Sequence, residues 1–125
     1  MSSLDIHIKK YQLFRKDAFN ERNSPMTRIE SLFEASFHLI EACCALHRLH
    51  INKHQLVRKL LEENVALFQE NSPEVWRKFQ DLENQIRPGQ LYGGKINGER
   101  LKESQAIFSF IEALCVPILR KEEYL

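Results

Sequence analysis

The stretch with the most chemical promise is residues 86–100, IRPGQLYGGKINGER. Arg87 and Lys95 stand there among all four glycines of the chain, Gly89, Gly93, Gly94 and Gly98, with no acid between residues 85 and 98. Such cations are suited to phosphate. Residues 89–95 even fit G-x-x-x-x-G-K, the spacing of a phosphate-cradling loop. Two requirements of that motif fail: Ile96 stands where a magnesium-ligating Ser or Thr is needed, and the preceding pattern is helical, where the motif requires a strand. The stretch reads instead as a helix–helix connection. Pro88 and Gly89 make the stop, the double glycine supplies positions free to take positive φ, and Asn97 caps the next helix.

A second acid-free segment, residues 42–61, holds Arg48, Lys53, Arg58, Lys59 and three histidines. The two segments together could form a patch for RNA or a nucleotide phosphate; a solvated charged face is the other reading. Cys43, His47, His50 and His54 recur at 4-, 3- and 4-residue spacing, as metal ligands on one helix face would. The helix that carries them ends near Leu49, however, and Cys43 and His47 fall on its apolar arc. A core histidine is therefore the favoured reading, and no metal or cofactor is expected. The three cysteines, Cys43, Cys44 and Cys115, are odd in number and lack a C-x-x-C, so they read as buried reduced thiols.

The elements that must position these residues are helices. A chain of 125 residues with net charge +1 is one domain of ordinary globular composition, and no global field points to nucleic acid or membrane. No apolar run reaches the roughly 18 residues that span a bilayer, and the N-terminus lacks a signal-type apolar core, so a cytoplasmic chain without a membrane partner is expected. Apolar residues recur at helical spacing and nowhere alternate as in a half-buried strand. Helices are predicted over about 4–21, 27–49, 53–69, 72–87 and 98–116. Thr27 to Glu30 is a capping box opening the second helix, whose wide apolar arc makes it the central one. Glu34, His38, Glu41 and Ala45 fall on its remaining face. The third helix has Leu56, Leu60, Leu61, Val65 and Phe68 on one side. Ser72-Pro73-Glu74 opens the fourth, and Pro117 kinks or ends the fifth. Phe37, Trp76 and Phe110 lie off the narrowest stripes, which suits either a helix-on-helix dimer or the edge of the core. The expected fold is an all-α antiparallel bundle of four to five helices in one domain: residues 1–24 as N-terminal helix and linker, 27–116 as core bundle, 117–125 as C-terminal tail.

This layout resembles the HEPN superfamily of helical domains across roughly residues 28–116. LFEASFHLIEACCALHRLHINKHQLVRKLLEEN is similar to the family's central segment, an aromatic-rich helix with a Phe-His pair, here Phe37-His38, then a His-bearing loop and a Leu/Phe-rich helix. FQDLENQIRPGQLYGGKINGERLKESQAIFSFIEAL resembles its C-terminal part, an Arg near a helix end, a Tyr-containing loop and a final amphipathic helix. The resemblance implies a homodimer, often encoded beside a minimal nucleotidyltransferase in a toxin–antitoxin-type pair. Ribonuclease members carry R-x(4–6)-H, in which His shuttles the 2′-hydroxyl proton and Arg steadies the phosphorane. Here Arg87 to Tyr92 is R-x4-Y, and a phenol of pKa near 10 is a poor base at pH 7. The resemblance thus implies a ligand cleft of Arg87 and Tyr92, helped by Lys95 and His38, with guanidinium on phosphate and ring on base or ribose.

One R-x5-H does occur, Arg48 to His54, but about one such match is expected by chance in a chain of this content. The expected function is a nucleotide-, RNA- or partner-binding module. The alternatives are a metal-independent endoribonuclease toxin using His54 or His38 with an Arg, and a purely structural interaction protein.

Overall fold

Helix α2, Pro25–Ala45, is the central element, as its wide apolar arc predicts. Ile29, Leu32, Phe33, Leu39, Ile40 and Cys43 are all buried, each large side chain contributing roughly 1.5–3 kcal/mol of transfer free energy. In this computed structural model, residues 3–49, 56–63, 68, 71–86 and 98–125 are described.

The start of α2 corrects the sequence reading. Ser24, not Thr27, is the N-cap: its backbone is extended (φ −64°, ψ 155°) and its Oγ accepts from the Thr27 N–H at 3.2 Å. Pro25 takes the first helical turn, where its fixed φ and missing N–H cost nothing, and it drives Ser24 out of the helical region. The end also falls earlier than residue 49. The Leu49 N–H reaches the Cys44 carbonyl and the Arg48 N–H the Ala45 carbonyl, both at 3.0 Å, with Arg48 left-handed at φ 59°. This is a Schellman closure. His47, expected in the core, is carried past the helix end and is exposed.

Helix α1, Ser3–Ala18, packs antiparallel on α2: His7 meets Glu41 at one end, and Arg28 Nε donates to the Ala18 carbonyl at the other, 2.8 Å away. Leu4, Ile8, Tyr11 and Ala18 form its buried stripe. It stops short of residue 21 because side chains take over its last carbonyls: Asn23 Nδ2 holds that of Asp17 at 2.9 Å, and Arg28 holds that of Ala18.

Helix α3, Val57–Glu63, buries Val57 and Leu61, while Leu56, expected on the apolar side, is exposed in the turn before it. Arg58 sits over the Trp76 ring at 4.3 Å, linking α3 to α4, Ser72–Ile86. On α4, Val75, Phe79 and Leu82 face inward, and Phe79 packs on Phe33 and Phe37.

Helix α5, Gly98–Lys121, passes through Pro117, so residues 117–121 are helix and not tail. Proline removes the N–H that would reach the Ala113 carbonyl. Pro117 faces outward, and fully buried Cys115 and Leu119 on the opposite side keep the helix on the core. Tyr11 and Arg15 meet Glu112, and Phe19 meets Phe108, so α5 also runs antiparallel to α1.

Among the described residues the chain is all-α, five helices with no strand. No helix among them is long and apolar enough to cross a membrane. Cys43, Cys44 and Cys115 are free and buried, as expected, and burial pushes the Cys44 thiol up to about 12, which makes it inert at neutral pH. Phe37, Trp76 and Phe110 are partly buried against the core.

Candidate functional site

Arg87, Tyr92, Lys95 and His54 lie outside the described residues, as do His50 and the glycines 89, 93 and 94. Arg48 is exposed in the turn that closes α2. His38 is placed by the packing of α1 over the face of α2 that also carries Glu34 and Glu41. Its ring is buried against Phe14 and Phe37, with centroids 5.8 and 5.6 Å away, and its Nδ1 is 3.0 Å from His7 Nδ1.

A cleft of about 460 Å³ opens between α1 and α5, lined chiefly by Tyr11, Arg15, Ser109, Glu112, Val116 and Arg120. The α5 residues recur every three or four positions and so share one face, and Tyr11 and Arg15 are one turn apart on α1. Glu112 organises the cleft. Its Oε2 accepts from the Tyr11 hydroxyl at 2.5 Å and from Arg15 Nε at 2.7 Å, and its Oε1 accepts from Arg15 Nη2 at 3.4 Å. Burial, then the Glu112 carboxylate, pushes the Tyr11 phenol above its ordinary range, so it stays a proton donor at any physiological pH. The hydrogen bond to Glu112 likewise holds the Arg15 guanidinium charged. Arg120 stands exposed on the same wall. Two guanidiniums against one carboxylate leave the cleft net positive, and its size falls within the roughly 300–1,000 Å³ typical of small-ligand sites.

The second cluster is His7, His38 and Glu41. His7 Nε2 lies 2.6 Å from Glu41 Oε2 while its Nδ1 faces His38. Burial pulls the His38 imidazole down to about 4, helped by the nearby His7 and Lys10 charges. Burial also pushes the Glu41 carboxyl up to about 7, against the pull of Lys10. The three groups can therefore share protons along one line: an ionised Glu41 accepts from His7 Nε2, and a protonated Glu41 donates to it, with the His7–His38 bond reversing to match.

Sequence reasoning missed both clusters. Arg15 and Arg120 lie 105 positions apart, and no local spacing joins them. For the histidine cluster one signal was available: His38 and Glu41 sit one turn apart on a helix too apolar to leave that face to solvent. Compared with protein-family models, with curated proteins and with solved structures, the chain matches none.

Proposed function

We propose that the chain is a HEPN-type up-and-down helical bundle that binds a phosphate-bearing ligand, a nucleotide or RNA, and is not a strong catalyst. The observation that carries this reading is the net-positive cleft, in which Arg15 and Arg120 share one opening with the Tyr11 and Ser109 hydroxyls. Guanidiniums bind phosphate through charge-assisted hydrogen bonds, and Arg15 and Arg120 both line the opening. The family resemblance adds Arg87, Tyr92 and Lys95 as ligand residues.

Cutting RNA without a metal requires a general base able to take the 2′-hydroxyl proton, and His38 is the histidine candidate among the described residues. His38 is enclosed, and an imidazole held at about 4 is a weak base at pH 7. That favours binding over cleavage. The resemblance also supports a homodimer and a minimal nucleotidyltransferase as partner. Exposed Ile6 and Leu13, seven residues apart on the outer face of α1, suit the packing of a second copy.

The test is a fluorescence-anisotropy titration with a labelled single-stranded RNA, with ATP as competitor. Arg120→Ala weakens binding by about tenfold, the worth of one charge-assisted contact, and Arg87→Ala weakens it similarly. Unchanged affinity in both variants rules the reading out, as does RNA cleavage by the purified protein in EDTA.

A further inference from the structure

The imidazoles of His7 and His38 meet head-on. Their Nδ1 atoms are 3.0 Å apart. Their centroids are 5.2 Å apart, close to that distance plus two ring radii, so the in-plane lone pairs aim at one another. Only one proton fits between them. A carboxylate stands behind each ring: Glu41 Oε2 is 2.6 Å from His7 Nε2, and Glu34 Oε2 is 3.7 Å from His38 Nε2. One ligand atom from each of His7, His38 and Glu41 lies within 4.8 Å of the others. A carboxylate on the far nitrogen of a histidine fixes the tautomer that leaves the near lone pair for a metal.

We propose that His7 and His38 bind a divalent transition-metal ion of the zinc class through their Nδ1 atoms, with Glu41, hydrogen-bonded behind His7, as the orienting carboxylate and Glu34 close to the far side of His38. Two imidazole nitrogens on one tetrahedral zinc lie about 3.3 Å apart with lone pairs converging at about 109°, so the nitrogens part by about 0.3 Å and each ring turns by roughly 20–35° from its head-on position. The ion takes the place of the proton now shared between the rings, and water fills its other positions. Imidazole nitrogen suits zinc, copper or nickel, whereas calcium and magnesium demand oxygen ligands. The His7 side chain is 18% exposed, so an ion reaches the site from the His7 side. The bound ion ties α1 to α2. This inference is independent of the phosphate-binding reading, because none of these residues lines the α1–α5 cleft.

The test uses the full chain stripped with chelator and titrated with Co²⁺, then Zn²⁺. The expected result is about one ion per chain, visible d–d bands, no thiolate-to-cobalt charge-transfer band, and displacement of cobalt by zinc. His7→Gln and His38→Gln each weaken binding by roughly tenfold or more, whereas His47→Ala and Arg120→Ala leave it unchanged. Zinc raises the Tm of the wild type by several degrees and that of His7→Gln not at all. His7 is only half-buried, and circular dichroism confirms that its variant is folded. No uptake by the wild type, a thiolate band, or wild-type affinity in folded His7→Gln overturns the proposal.

Discussion

Glu112→Gln separates what the cleft does for the fold from what it does for a ligand. Glu112 gives Tyr11 its hydrogen-bond acceptor, and Tyr11 is only 6% exposed. A hydrogen bond to a charged group is worth about 1.5–3 kcal/mol and a neutral one about 1, so the amide loses roughly 1 kcal/mol at Tyr11. The Arg15 side chain is 45% exposed, and its ion pair adds at most about 0.5 kcal/mol. The sum, about 1.5 kcal/mol, lowers Tm by about 5 °C in a chain of this size. Binding moves the other way. The carboxylate occupies Arg15 and repels phosphate, so its removal tightens RNA and nucleotide binding about fivefold in low salt, a gain that fades as screening increases. Differential scanning fluorimetry and the anisotropy titration read the two effects on one sample. An unchanged Tm refutes the role given to the Tyr11–Glu112 bond. A loss of affinity refutes the assignment of Arg15 and Arg120 to phosphate.

Individual residues carry three further expected outcomes. Ser104 is fully buried on α5, and its Oγ finds no partner among the described residues; Ser104→Ala stabilises by about 1 kcal/mol in urea unfolding. Arg48 holds a left-handed position without being glycine, so Arg48→Gly stabilises by about 0.5–1 kcal/mol, and a loss of stability contradicts the Schellman closure. In metal-free protein, His38, moved from 6.5 to about 4, contributes stability that is present above pH 6.5 and lost as pH falls through 4. Glu41, moved from 4.5 to about 7, acts in the opposite sense: its contribution is present below pH 4.5 and lost as pH rises through 7. The opposed trends leave the wild type nearly level between pH 7 and 5. Glu41→Gln exposes the His38 slope and loses about 2 kcal/mol on acidification, once the screening by solvent around half-buried His7 is allowed for.

The helical architecture was legible because α2, α4 and α5 carry long apolar stripes at helical spacing, and Ser72-Pro73-Glu74 marks a start without competition. Boundaries failed where two local signals competed. Ser24-Pro25 overrode the Thr27 capping box because proline constrains both itself and its predecessor. Pro117 did not stop α5 because the burial of Leu119 outweighs one lost backbone hydrogen bond. The inward turn of His38 and Glu41 was hidden because polar residues suggest solvent until a second helix is known to cover them, and only the packing of α1 brings His7 there. Arg15 and Arg120 were invisible as a pair for the same reason. The residues that the sequence did single out in the glycine-rich stretch, Arg87, Tyr92 and Lys95, fall outside the described residues, so their part in binding rests on the RNA and ATP titrations.

The most direct measurement is an NMR titration of ¹⁵N-labelled protein with a short single-stranded RNA and, separately, with ATP. Saturable amide and guanidinium shifts concentrated on Arg15, Ser109, Ala113 and Arg120 are the predicted result. An absence of shifts, or shifts confined to surfaces remote from the α1–α5 cleft, would contradict the claim that this cleft binds phosphate.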